Sequence, residues 1–104
     1  MSISDRDWRL FLGLRDAARQ RFAEDTLSQA LAICLDERRT TVEREQALAD
    51  LTRQREHEQA ALFDDHRRRT ATLCLHFMRH RGLVRDEELK GFSLAVRRTI
   101  SADT

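Results

Sequence analysis

The 104-residue chain has no proline and no tyrosine, only three glycines, two cysteines and a single lysine. Each shortage excludes something. Without proline the strongest helix breaker is missing. Gly13, Gly82 and Gly91 are too scattered to build a glycine-rich phosphate loop. Cys34 and Cys74 are too few for a disulfide framework. Each sits in an apolar run, ICL and LCL, and reads as a buried free thiol, a small hydrophobe. No stretch approaches the ~20 apolar residues of a membrane span. The apolar run at 10–14 is too short for a secretory signal and contains Gly13, and Asp5, Asp7 and Asp16 are foreign to a transit peptide. The expected location is cytoplasmic, with no membrane role.

What is present is helix-forming and highly charged. Charged residues make up 36% of the chain, against about 25% in an ordinary soluble domain. Leu, Ala, Arg, Glu, Gln and Asp dominate, and most of these favour helices. The length fits one domain, residues 1–104, large enough for a real core. The net charge is only +1, so nothing global implies nucleic acid. The distribution is less even: residues 37–65 carry five basic and eight acidic side chains, whereas 66–85 carry six basic and none acidic.

Ser4 with Asp7 resembles a capping box, so a first helix is predicted from there. Trp8, Phe11, Leu12, Ala18 and Phe22 recur on one helical face. Asp25 or Thr26 offers a cap for a second helix with the stripe Leu27, Ala30, Leu31, Cys34 and Leu35, although no strong breaker separates the two. Thr40 and Glu43 form a proper capping box, and a third helix is predicted from Thr41. Residues 52–59 are eight polar residues in succession, which predicts an exposed helix that projects from the body or packs against a copy of itself, held by local pairs such as Asp50 with Arg53 and Arg55 with Glu58. Whether 41–81 forms one helix or two stays open. Gly82 ends the basic helix. Asp86, Glu87 and Glu88 open a last helix with the stripe Leu89, Phe92, Val96 and Ile100. The prediction is an all-α, four- or five-helix bundle-like domain with one long central helix, its core drawn from helices one, two, four and five.

The segment HRRRTATLCLHFMRHR, residues 66–81, holds five arginines and three histidines and no acid. On a helix over 68–81, Ala71, Leu73, Cys74, Leu75, Phe77 and Met78 spread over roughly 200°, a face packed on most sides. The remaining arc aligns Arg68, Arg69, Thr72, His76, Arg79 and His80, with Arg81 beyond. Such a ridge can hold phosphates, dock on an acidic protein surface, or be a solvated face whose arginines meet Glu56, Glu58, Asp64 and Asp65. No aromatic is interleaved on it for base stacking. The acidic first turn of the last helix argues against a helix-turn-helix reader.

Metal and catalytic motifs are weak. The positions three before the histidines are Gln54, Phe63, Leu73 and Phe77, which excludes Glu-x-x-His di-iron ligation. His76 and His80 have zinc-helix spacing, but Phe77 stands where the catalytic Glu belongs. No nucleophilic triad can be placed, and no metal, cofactor or catalytic residue is assigned. The expected function is therefore a non-enzymatic interaction protein, a small adaptor, regulator or inhibitor. It would bind a protein partner through an exposed helix and the ridge Arg68, Arg69, Thr72, His76, Arg79, His80 and Arg81. The alternative is a nucleic-acid-binding protein contacting phosphates through 66–85, with Arg97 and Arg98 in support. The acidic 37–65 and basic 66–85 segments also allow a homodimer by antiparallel charge pairing.

Overall fold

Two side-chain caps set the start of the long helices. In the computed structural model, which describes residues 3–65 and 67–102, the Ser4 hydroxyl accepts the Asp7 N–H at 3.1 Å and starts α1, Asp5–Cys34. Thr40 and Glu43 close a reciprocal capping box, at 2.9 and 3.1 Å, that starts α2, Thr41–Phe63. A 3-10 turn, Arg68–Thr70, leads into α3, Ala71–His80. The short α4, Asp86–Leu89, and α5, Leu94–Ala102, complete the chain. The architecture is all-α, with five helices and no strand among the described residues.

Helices one and two of the sequence reading are a single α1 of 30 residues. Thr26 does not cap; its hydroxyl donates back to the Phe22 carbonyl at 2.9 Å, inside the helix. The segment 41–81 is two helices, since α2 ends at Phe63. The predicted last helix is also two. Ser93 interrupts it, because its N–H donates to the Asp7 carboxylate at 2.9 Å while its own hydroxyl faces the Val96 N–H at 3.4 Å at the start of α5.

The core lies at one end of the molecule. Phe11, Leu14, Ala18 and Phe22 of α1 pack with Leu62 and Phe63 of α2, with Cys74, Leu75 and Met78 of α3, and with Leu89, Phe92, Val96 and Ile100. Phe22 and Phe63 meet edge to face at 5.8 Å, a favoured aromatic geometry. Gly82 closes α3 with φ +73°. Its N–H donates to the Arg79 carbonyl at 3.0 Å and the Leu83 N–H to the Met78 carbonyl at 2.9 Å, the paired bonds of a Schellman stop. Arg21 holds α4 against α1, with two bonds to Glu88 at 2.7 and 2.9 Å and one to the Leu83 carbonyl at 2.9 Å.

Beyond Phe22 the α1–α2 hairpin leaves this body as an arm. The molecule measures 52 × 23 × 22 Å and its radius of gyration is 16.6 Å, against about 13 Å for a compact chain of this length. The part that projects is not the polar stretch 52–59, which lies against α1: Arg55 pairs with Asp25 at 3.1 Å and covers the Phe22 ring, and Gln59 accepts from Arg19 at 3.0 Å. What projects is the distal half of the hairpin, around residues 25–50. The core expected of helix two is consequently absent: Leu27, Leu31 and Leu35 are exposed.

Candidate interaction surfaces

The arm presents the most accessible large apolar side chains among the described residues. Leu27, Leu31 and Leu35 are 69%, 60% and 67% accessible. Their four-residue spacing puts them in a row on one flank of α1. The row lies off the inner side of α1, which the partly exposed Thr26, Ala30 and Ile33 take, although Leu27 also borders a groove shared with Thr52, Arg55, Glu56 and Gln59 of α2. Ser28 and Cys34 border the row, and both are exposed. The expectation of a buried thiol therefore holds for Cys74 and fails for Cys34. Burial pushes the Cys74 thiol up from its ordinary pKa, so it stays protonated and inert.

The tip of the arm is tied down by charge. The Arg44 guanidinium donates to the Cys34 carbonyl at 2.9 Å and caps the end of α1. Asp36 accepts from the backbone and side chain of Arg38 at 3.1 and 3.0 Å, with Arg39 at 3.4 Å. The Arg38 hydrogen bonds hold the Asp36 carboxyl below its usual range.

The Arg/His segment is divided by the fold. Its first residue, His66, lies outside the described residues. Arg68 and Arg69 belong to the 3-10 turn, so the ridge does not run along one α-helix from 68 to 81. Arg68 turns to the N-terminus of α1, donating to Asp5 at 2.7 Å and to the Ile3 carbonyl at 2.9 Å, over the Trp8 ring. Arg69 and Thr72 line a cleft of about 450 Å³ against Ser4, Asp7, Ser93 and Thr99. His76, Arg79 and His80 line a separate hollow with Val84 and Asp86. There Arg79 pairs with Asp86 at 3.3 Å, and the two imidazoles stack at 6.3 Å. Arg81 pairs with Glu58. Arg67 pairs with Asp65 at 3.1 Å and holds that carboxyl far below its usual range. The acidic and basic segments thus meet in part within one chain, which removes much of the charge motive for pairing them between two chains.

The apolar arc of α3 is narrower than its sequence suggests. Ala71, Cys74, Leu75 and Met78 are buried, while Leu73 and Phe77 are 51% and 46% exposed. The Phe77 ring lies 5.7 Å from that of His76. An aromatic therefore does stand beside the ridge, at a position that helical periodicity alone places in the core.

The cleft beside Asp7 is structural in chemistry. Burial opposes ionisation of this carboxyl, but the hydrogen bonds from Ser93 and Ser4 outweigh it and hold its pKa below the ordinary value. Among the described residues no group of three or more His, Cys, Asp or Glu side chains is placed to hold a metal ion. No helix among them is long and apolar enough to cross a membrane. Comparison with protein families, curated proteins and solved structures returns no match to this chain.

Proposed function

We propose that the chain is a non-enzymatic interaction module, a small helical adaptor or regulator, that docks a protein partner through the outer flank of its arm. The observation that carries this reading is the row Leu27, Leu31 and Leu35, each 60% or more exposed on a helix that stands clear of the core. Scattered exposed leucines are ordinary, whereas a contiguous row on one helical flank marks a contact surface. Three helix-spaced leucines are the anchor pattern of helix-against-helix recognition.

The ridge has a lesser part in this reading. Arg68, Arg79 and Arg81 are already in ion pairs with Asp5, Asp86 and Glu58, and a partner would have to displace those acids. Nucleic-acid binding is the second reading, favoured by the exposed Phe77 beside His76, which in turn stacks with His80, a surface on which a base can stack. Anisotropy with labelled single-stranded and duplex nucleic acids across a salt series tests it. Micromolar binding that falls with salt and with Arg68→Ala/Arg79→Ala would raise this reading above the first.

The test of the first reading is photocrosslinking in cells from a benzophenone side chain at position 31, compared with position 54 on the polar stretch of α2. A discrete protein adduct from 31 and none from 54 is the expected result. Absence of any adduct from 31, with the chain expressed and folded, would remove the arm as a docking surface.

A further inference from the structure

We infer that the occupant of the leucine row is a second copy of this chain, with the two α1 arms lying antiparallel across a two-fold axis at Leu31. This rests on the reading of the arm as a docking surface and names its partner.

The row is complementary to itself in shape. Leu27 and Leu35 are equal steps before and after Leu31. At 1.5 Å and 100° per residue, a two-fold at Leu31 brings the Leu31 side chains together. It also sets Leu35 of the second copy over Ser28, and Leu27 of the second copy over Cys34. Both receiving side chains are small and exposed. Around the central Leu31 pair, Leu27 and Leu35 therefore each meet a small side chain, which allows the helices to approach to the usual 8–10 Å.

The row is also complementary to itself in charge. Glu24 lies seven residues before Leu31 on α1, and Arg38 lies in the turn beyond the end of α1; both are exposed. The antiparallel arrangement sets Glu24 of each copy beside the tip of the other arm, which carries Arg38. A parallel one would set Glu24 on Glu24 and Arg38 on Arg38, and would press the two bodies against each other. Arg38 already holds Asp36, yet its side chain is 91% accessible, so it is open on its other side. Glu24 accepts from the Gln20 amide at 3.1 Å and lies in the field of Arg21.

The area is in the range of a modest dimer. Two such rows offer each other on the order of 800 Å² of accessible leucine surface, and the flanking Glu24, Ser28 and Cys34 extend it toward the ~1,000 Å² that separates specific interfaces from casual contacts. Joining one flank to its own copy closes the assembly at two, since an isologous contact leaves no free face.

Sedimentation velocity on the whole chain, from about 1 to 500 µM, tests the inference. A single monomer–dimer equilibrium in the micromolar range is expected. Leu31→Asp, at a site remote from the core, is expected to weaken it ~100-fold or more, and Leu35→Asp nearly as much. Circular dichroism melts verify that the variants fold. Glu24→Arg alone is expected to weaken the dimer several-fold, and Glu24→Arg/Arg38→Glu to restore it to within about twofold. Alkylation of Cys34 by a maleimide is expected to slow as the wild-type concentration rises. A wild-type chain that stays monomeric at 500 µM, a dimer indifferent to Leu31→Asp, or an open-ended series of oligomers would overturn the second copy as occupant. A double variant that does not restore pairing would overturn the antiparallel register. If the chain is monomeric yet crosslinks from position 31 to a different protein, the docking surface stands and its occupant is foreign. If neither occurs, both readings fall.

Discussion

At the scale of single residues, two positions hold conformations or charges that their neighbours alone would not require. Gly82 sits at φ +73°, where a Cβ costs about 1–2 kcal/mol. Gly82→Ala meets open space, so the whole penalty is conformational. Urea unfolding is expected to show a loss of that size with an unchanged m-value. Asp7 is 2% exposed and joins α1 to the start of α5 through the Ser93 N–H. Asp7→Asn keeps the shape and removes the charge, with an expected loss of about 1–2 kcal/mol at pH 7. The sign of its pH dependence follows from its depressed pKa. The stabilisation is complete above the unfolded carboxyl value, near 4, and disappears as pH falls through the lower folded value. Glu88, held low mainly by Arg21, acts in the same direction. Stability measured from pH 6 down to 2 is therefore expected to fall below about pH 4 in the wild type, and less steeply in Asp7→Asn.

At the scale of elements, starts and stops were legible and contexts were not. The capping chemistry of Ser4, of Thr40 with Glu43 and of Gly82 is local, and each marks a real boundary. Asp25 and Thr26 carry the same chemistry with no boundary, because nothing breaks the backbone there and the Thr26 hydroxyl bonds within the helix. The break at 90–93 was hidden for the opposite reason. It depends on Asp7, 86 residues away in sequence from Ser93. Periodicity identified the core faces of α1 and α5 and overdrew that of α3 by Leu73 and Phe77, and it cannot say whether a stripe meets its own chain or another, which is why Leu27, Leu31 and Leu35 read as core. The Arg/His ridge is continuous only on an ideal helix, and it divides because Arg68 and Arg69 lie in a 3-10 turn. Two substitutions probe these elements. Thr40→Ala is expected to lower stability by about 1 kcal/mol through loss of the α2 cap. Arg21→Met removes the bonds from α1 to Glu88 and to the Leu83 carbonyl. It is expected to raise the proteolytic sensitivity of 83–90 before the rest of the chain unfolds.

At the scale of the whole molecule, the core occupies one end and the leucine row the other. The ionic contacts follow the same division: Arg15, Arg19 and Arg55 brace the hairpin where it joins the body, and Arg44 and Asp36 organise its tip. Between them Leu51 is the one buried apolar side chain of α2 outside the main cluster, among the described residues. So sparsely packed a segment opens without the body having to unfold. Hydrogen–deuterium exchange is expected to divide the backbone in two. Amides of 12–22 and 74–79 would exchange only through global unfolding, and those of 27–50 through local opening that costs less. If copies pair along the arm, mass action makes that cheaper opening depend on how much protein is present. The slow set would exchange at a rate nearly indifferent to concentration, while the fast set would slow as the solution is concentrated. The persistence of the arm as ordered helix would then be a property of the population of chains, and that of the body a property of each chain alone.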